Sequence, residues 1–246
     1  MVVGVQRSGT TYLCGLMTGT GVLGRPDEYL HTRRALRIDP QRGDDVAFQL
    51  SLPNTLGRTE NGTAALKLFP FNIDRIFRQA NLFDFYPDPV FIFVRRRDTV
   101  SQAVSYARAL QTGGWRSNEP VQEKPRYSAH EIHGALVDLM ISEARWKAYF
   151  ARNGIEPLEL FYEDILGNEE RSLREIARHA DLEEVEHPLH FEPVNLSVQR
   201  DEISAEWRAR FLAERADPNW LERRPRKYIQ PTLKKFLKLL RGNLYS

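Results

Sequence analysis

Apolar residues along the chain gather into short runs separated by longer stretches of helical spacing. Val90-Phe91-Ile92-Phe93-Val94 is the clearest run, unbroken and rich in β-branched and aromatic residues, as expected of a strand buried on both faces. Val2-Val3-Gly4-Val5, Ala64 to Phe69 and Pro157 to Tyr162 are the other strand candidates. Helices are predicted between them. Thr10 to Met17 is closed by Gly19-Thr20-Gly21, and Asn72 to Gln79 places Ile73, Ile76 and Phe77 on one face. Asp98 is placed to cap a helix running to about Leu110. From His130 to Asn153, Ile132, Leu136, Leu139, Met140, Trp146 and Phe150 recur at helical spacing until Gly154, and Ser172 to His179 forms a last helix. Strand and helix alternate throughout. That order predicts parallel strands with crossover helices, an α/β three-layer sandwich around a central parallel sheet.

The polar stretch from Arg25 to Gly62 breaks this rhythm. It is long for a structureless loop, so short helices covering a site are expected there. Arg116 to Arg126 reads as a mobile loop. A basic tail begins near Pro218, which divides the chain into a domain at 1–217 and a tail at 218–246. In the tail, Leu233, Phe236, Leu237 and Leu240 form an apolar stripe backed by Lys234, Lys235, Lys238 and Arg241. Packing on the domain or on a partner subunit is the first use of such a helix, and peripheral contact with an anionic membrane the second.

Composition narrows the chemistry. The 246 residues are 41% hydrophobic and 28% charged with a net charge of +2, so bulk attraction to nucleic acid is not implied and any anion site must come from local clustering. Cys14, the single cysteine, sits in an apolar helical stretch and reads as packing, compatible with a reducing compartment. No run approaches the roughly 18 apolar residues of a membrane span, and the opening apolar run is too short for a signal peptide. A cytoplasmic location is expected.

Two stretches stand out as anion sites. Gln6-Arg7-Ser8-Gly9-Thr10-Thr11 lies where a buried strand gives way to a helix. The first N–H groups of a helix lack intrahelical partners and form an anion cradle. Gly9 permits close approach, Ser8, Thr10 and Thr11 add hydroxyls, and Arg7 adds a positive fork; simple helix capping by Ser8 and Gly9 is the plainer alternative. The stretch does not match G-x-x-x-x-G-K-[ST], because the glycine spacing and the phosphate-binding lysine are both missing, which disfavours an ordinary NTPase. The second stretch, Arg95-Arg96-Arg97-Asp98, ends the central strand. Ser101 and Ser105 follow it one turn apart on a shared helix face. Arg95 and Arg97 read as a solvated basic turn, and Arg96 as the functional arginine. Two grips at two parallel strand ends suit a ligand phosphorylated at two separated positions. No His, Cys and carboxylate set has metal-ligand spacing, so no metal is expected.

Gln-Arg-Ser-Gly-Thr-Thr-Tyr-Leu at 6–13 resembles the 5′-phosphosulfate loop of sulfotransferases that use 3′-phosphoadenosine 5′-phosphosulfate (PAPS). The nearest resemblance is to the bacterial trehalose 2-sulfotransferase-like family, whose pattern continues through Thr20 to Tyr29, Gly57-Arg58-Thr59, Lys67, Arg96, Asp98, Ser101 to Ser105, Arg108, Gln111-Thr112 and Trp115. Glu143, Trp146, Phe150, Tyr162 with Asp164, and Ser204 with Glu206-Trp207 complete it, so the likeness spans roughly residues 1–215 in order. Arg7 stands where many sulfotransferases carry a catalytic lysine, and the trehalose-type members share that arginine. The usual Arg-to-Ser spacing of the 3′-phosphate site is not kept.

The resemblance implies a P-loop-like sulfotransferase fold and in-line sulfuryl transfer from PAPS to a carbohydrate or glycolipid hydroxyl. Arg7 would act on the bridging and leaving oxygens, with Ser8, Gly9, Thr10 and Thr11 holding the 5′ end of the donor. Arg96 would hold the 3′-phosphate with Ser101 as the first serine and Ser105 as the second. The family's carboxylate after Gly-x-Pro-x falls on Glu28, the general base; His31 is its rival. Lys67 would sit near the transferred group or else snorkel at the surface, and Trp115 would stack on the acceptor, on adenine or in the core. A homodimer is also implied. The rival functions are a P-loop-type small-metabolite kinase, dependent on Mg²⁺, and a non-catalytic nucleotide- or sugar-binding module.

Overall fold

The computed structural model describes residues 1–76, 79–115, 123–182, 191 and 202–214. Phe77, most of the loop predicted from Arg116, and the tail from Pro218 lie outside the described residues. The chain forms two compact units, Met1–Arg208 and Ala209–Ser246. In the second, Arg210 donates to Glu214 at 2.9 Å one helical turn away.

Strand β1 (Val2–Gly4) leads into helix α1 (Thr10–Gly19). The polar stretch that follows holds two helices, α2 (Thr32–Ile38) and α3 (Val46–Thr55), as its length predicted. Strand β2 (Lys67–Leu68), helices α4 (Pro70–Ile76) and α5 (Leu82–Phe85), and strand β3 (Ile92–Arg95) come next. Helix α6 (Thr99–Thr112) and the long α7 (Ala129–Asn153) precede β4 (Leu158–Phe161), and α8 (Tyr162–Ile165), α9 (Glu169–His179) and α10 (Glu202–Ala213) complete the order.

The four strands form one sheet in the order β2-β1-β3-β4, parallel throughout, with Val2 opposite Lys67, Val3 opposite Phe93 and Val94 opposite Leu160. Helical crossovers account for the parallel pairing, since tight hairpins cannot join parallel strands. Alternation along β3 defines the layers. Ile92 and Val94 join a cluster with Leu13 and Leu16 of α1 and with Leu173 and Ile176 of α9. Phe91 and Phe93 point the other way, with ring centroids 5.6 and 5.4 Å from that of Phe150 in α7. Each such side chain contributes about 1.5–3 kcal/mol by its burial. The result is helix, sheet, helix, the three-layer α/β sandwich.

Several element ends differ from the sequence reading. Only Lys67 and Leu68 of the run Ala64–Phe69 pair as strand, because β2 is an edge whose one neighbour, β1, is itself three residues long. Helix α1 runs through Gly19, and the Thr20 N–H still reaches the Leu16 carbonyl at 3.2 Å. Tyr162 opens α8 rather than closing β4. Met140 is exposed, whereas Ile132, Leu139, Trp146 and Phe150 are buried. Cys14 packs inside the α1 cluster, and burial pushes its thiol up to about 12, so it is not a ready nucleophile.

Candidate active site

The carboxyl ends of β1 and β3 carry the residues singled out as anion ligands. β1 ends at Gly4, where an added Cβ would come within 2.8 Å of the Ser8 hydroxyl and 2.9 Å of the Val94 carbonyl. The loop therefore folds directly over the strand tip. Arg7 adopts a left-handed backbone with φ of 61°, a strained conformation for a residue with a side chain. Gly9 has φ of 95°, and a Cβ there would lie 2.3 Å from the Tyr162 ring. Its need for glycine thus comes from Tyr162 as well as from any ligand.

Neighbouring side chains fix the loop by its carbonyls. The Gln102 amide donates to the Gln6 carbonyl at 2.7 Å and the Arg96 guanidinium to the Arg7 carbonyl at 3.3 Å. The Arg7 guanidinium is turned across to α6, where its Nε donates to the Ser105 hydroxyl at 2.8 Å, and it also donates to the Trp115 carbonyl. Helix α1 starts after Gly9, an N-cap residue with no side chain to cap its first turn. Among the described residues, the Ser8 hydroxyl is buried without a hydrogen-bond partner. A buried polar atom left unsatisfied is costly, and it is cheap only if something else supplies the partner. An uncapped helix start, an orphan hydroxyl and a positive fork are the parts of an oxyanion cradle.

The arginine triplet divides two to one. Arg95 is held between Glu143 and Glu159, the second at 2.8 Å, and Arg97 makes a two-pronged pair with Asp164. Both are tied into ion pairs, where the sequence had suggested a solvated basic turn. Arg96 has a side chain only 10% exposed against 51% for Arg97; it lies over the Tyr162 ring at 5.3 Å and 3.7 Å from Glu163. Of the two serines, Ser105 meets Arg7. Ser101 faces Asp98, its N–H and hydroxyl donating to that carboxylate at 2.9 and 2.7 Å. Arg208 of α10 reaches the same carboxylate at 3.0 Å. Burial alone would push Asp98 up, but the Ser101 donors and then the Arg208 charge outweigh it and hold the carboxyl below its usual range.

Glu28 and Lys67 come together. The Lys67 ammonium lies 2.8 Å from Glu28 Oε1 and 3.1 Å from the Thr11 hydroxyl. Its side chain is 5% exposed, which overturns the snorkelling alternative. The backbone repeats the link, since the Lys67 N–H donates to the Asp27 carbonyl at 2.9 Å. Asp27 in turn accepts from the Glu28 N–H at 2.7 Å and pairs with Arg34 at 2.8 Å. His31 stands at the start of α2, its N–H bonded to the Glu28 carbonyl at 3.1 Å. Trp115 is 44% exposed beside Tyr106, with ring centroids 6.1 Å apart.

Glu163 was not anticipated. It accepts from the Arg97 N–H at 3.0 Å and the Asp98 N–H at 3.4 Å, satisfying the turn between β3 and α6. Arg208 was also missed, since a single arginine on a polar helix gives no signal until the fold brings it to Asp98.

A parallel sheet whose strand tips carry an oxyanion cradle without a Walker lysine defines a P-loop-like group-transfer enzyme. The chain matches the Stf0 sulphotransferase family model over residues 1–214 and belongs to that family, so it is a sulfotransferase. It is similar to the trehalose 2-sulfotransferase of Mycobacterium tuberculosis (strain ATCC 35801 / TMC 107 / Erdman), 32% identical over 66% of this chain and 76% of the relative. The trehalose 2-sulfotransferase of Mycolicibacterium smegmatis (strain ATCC 700084 / mc(2)155) is 30% identical with the same coverage.

Proposed function

We propose that the chain transfers the sulfuryl group of PAPS to a carbohydrate hydroxyl, with Glu28 as general base. The observation that carries this reading is the Lys67 bridge, which holds the Glu28 carboxylate beside Thr11 of the anion loop. A base has to stand within reach of the transferred group, and nothing in the sequence spacing of residues 11, 28 and 67 required it.

PAPS supplies a sulfuryl group on a phosphate that departs as adenosine 3′,5′-bisphosphate. The buried Ser8 hydroxyl and the uncapped start of α1 fit its 5′ end, and they are helped by Arg7, Gly9, Thr10 and Thr11. Arg96 fits the 3′-phosphate, since it is nearly enclosed and already bonded to the loop at Arg7. Ser101 adds a hydroxyl at the start of α6, and Ser105 orients Arg7. Arg7 stabilises charge developing on the leaving oxygen. Glu28 takes the proton of the acceptor hydroxyl on its carboxylate, and Trp115, exposed beside Arg7, offers a face to the acceptor sugar. The names of the two relatives make trehalose the first acceptor to try.

The test is incubation with sulfur-labelled PAPS and a panel of sugars and glycolipids, with trehalose first. Label should appear in a sugar, and Glu28→Gln should lower kcat by about 10²–10⁴. Wild-type turnover in that variant would remove Glu28 from the role.

A further inference from the structure

A lysine ammonium nearly shut away from water is costly unless an opposite charge accompanies it. Lys67 meets that requirement with Glu28 at 2.8 Å, and its side chain is 5% exposed. The same nitrogen is 3.1 Å from the Thr11 hydroxyl and 5.2 Å from the centroid of the Phe69 ring, so it stands between the carboxylate and the anion loop. An ammonium has three donors, and Glu28 and Thr11 engage two of them. The arrangement is rigid on the lysine side. Its backbone is paired to Val2 within the sheet and bonded to the Asp27 carbonyl.

We propose that Lys67 is a charge-exchange residue, neutralised by Glu28 before reaction and released toward the anion loop when Glu28 is protonated. The proposal rests on Glu28 being the base. Glu28 takes up the hydroxyl proton of the acceptor while the acceptor oxygen replaces the phosphate oxygen on sulfur. The electron pair of the broken S–O bond stays with the phosphate. One negative charge therefore leaves Glu28 as one grows at the loop, and the ammonium between them changes partner without travelling. Before that moment Lys67 adds little to donor affinity, because Glu28 cancels it. The cation is thus withheld from the ground state and delivered in the transition state, where it raises kcat rather than tightening binding.

The charge exchange can be read without turnover. Glu28→Gln mimics the protonated base, so it should tighten binding of adenosine 3′,5′-bisphosphate by about 10-fold, the worth of one charge-assisted hydrogen bond. Titration calorimetry on the full chain measures this. The gain should vanish in Glu28→Gln/Lys67→Met and in Glu28→Gln/Lys67→Gln, and survive in Glu28→Gln/Lys67→Arg, which keeps the charge. A merely structural lysine would give the same gain with or without its charge, and that result would overturn the proposal. In turnover, Lys67→Met should lower kcat with the donor KM little changed. If Glu28→Gln keeps wild-type kcat, the base assignment itself falls; if kcat falls but the affinity gain is independent of Lys67, only the charge exchange falls.

Discussion

Residues 6–11 and residues 95–97 both present themselves as anion sites, and the structure treats them in opposite ways. Along 6–11 the carbonyls of Gln6 and Arg7 are engaged by Gln102 and Arg96, whereas the Ser8 hydroxyl is buried without a partner among the described residues and the helix starts on a glycine cap. Along 95–97 the charge is greater, yet Arg95 and Arg97 are matched by Glu143, Glu159 and Asp164. Density of positive charge is therefore a poor guide to a ligand site.

The sharpest way to break this contrast is to remove the fork of the first region. Arg7→Ala should lower kcat by about 10²–10³, the usual cost of one donor to a developing oxyanion, in steady-state assays at saturating donor. Unchanged kcat would reduce the loop to a helix cap. Arg96→Ala comes next. It should raise the Kd for adenosine 3′,5′-bisphosphate by about 10–100-fold through loss of a charged hydrogen-bond partner. Arg95→Met should leave that affinity alone and lower folding stability by about 1–2 kcal/mol, discounted from a fully buried pair because Arg95 is partly exposed. Denaturant unfolding reads the difference. Arg97→Ala, the exposed member, should be indistinguishable from the parent in both measurements.

The smallest effect concerns pH. The folded carboxyl of Asp98 lies below its usual range, held there by Ser101 and Arg208 against the opposing effect of burial. A group depressed in this way adds stability that is complete above its unfolded value, near pH 4, and fades as pH falls through the lower folded value. Asp98→Asn should therefore flatten the acid end of the stability curve below about pH 4 and have little effect on its slope near neutrality. A curve of unchanged shape would mean that the Ser101 and Arg208 contacts are not maintained in solution.

These experiments also show what the sequence disclosed and what it withheld. The strand β3, the Asp98 cap, the long α7 with its Gly154 stop and the parallel α/β order were legible, because each follows from local periodicity or turn chemistry. Arg96 stood apart from Arg95 and Arg97 in the sequence as well, but the carboxylates that hold those two did not show. The Lys67–Glu28 contact was not legible as a contact. It joins an edge strand to a loop nearly forty positions earlier, where the Lys67 N–H bond to the Asp27 carbonyl sets them side by side. Ser105 meeting Arg7 was hidden for the same reason, since it joins α6 to a loop far earlier in the chain, whereas the Ser101 N–H meeting Asp98 is the cap itself. Arg208 and Glu163 carried no pattern at all.

The hydrogen at position 4 has a reach far beyond its size. A methyl there would press at once on the serine hydroxyl and threonine methyl of the loop and on the neighbouring strand's carbonyl, so the loop is moulded from below by a single hydrogen. Aliphatic positions around it can be exchanged with modest loss, but this one admits no larger group. Whoever grafts a different anion loop onto this sheet, in the hope of retuning which donor it accepts, would have to transplant the strand tip along with it.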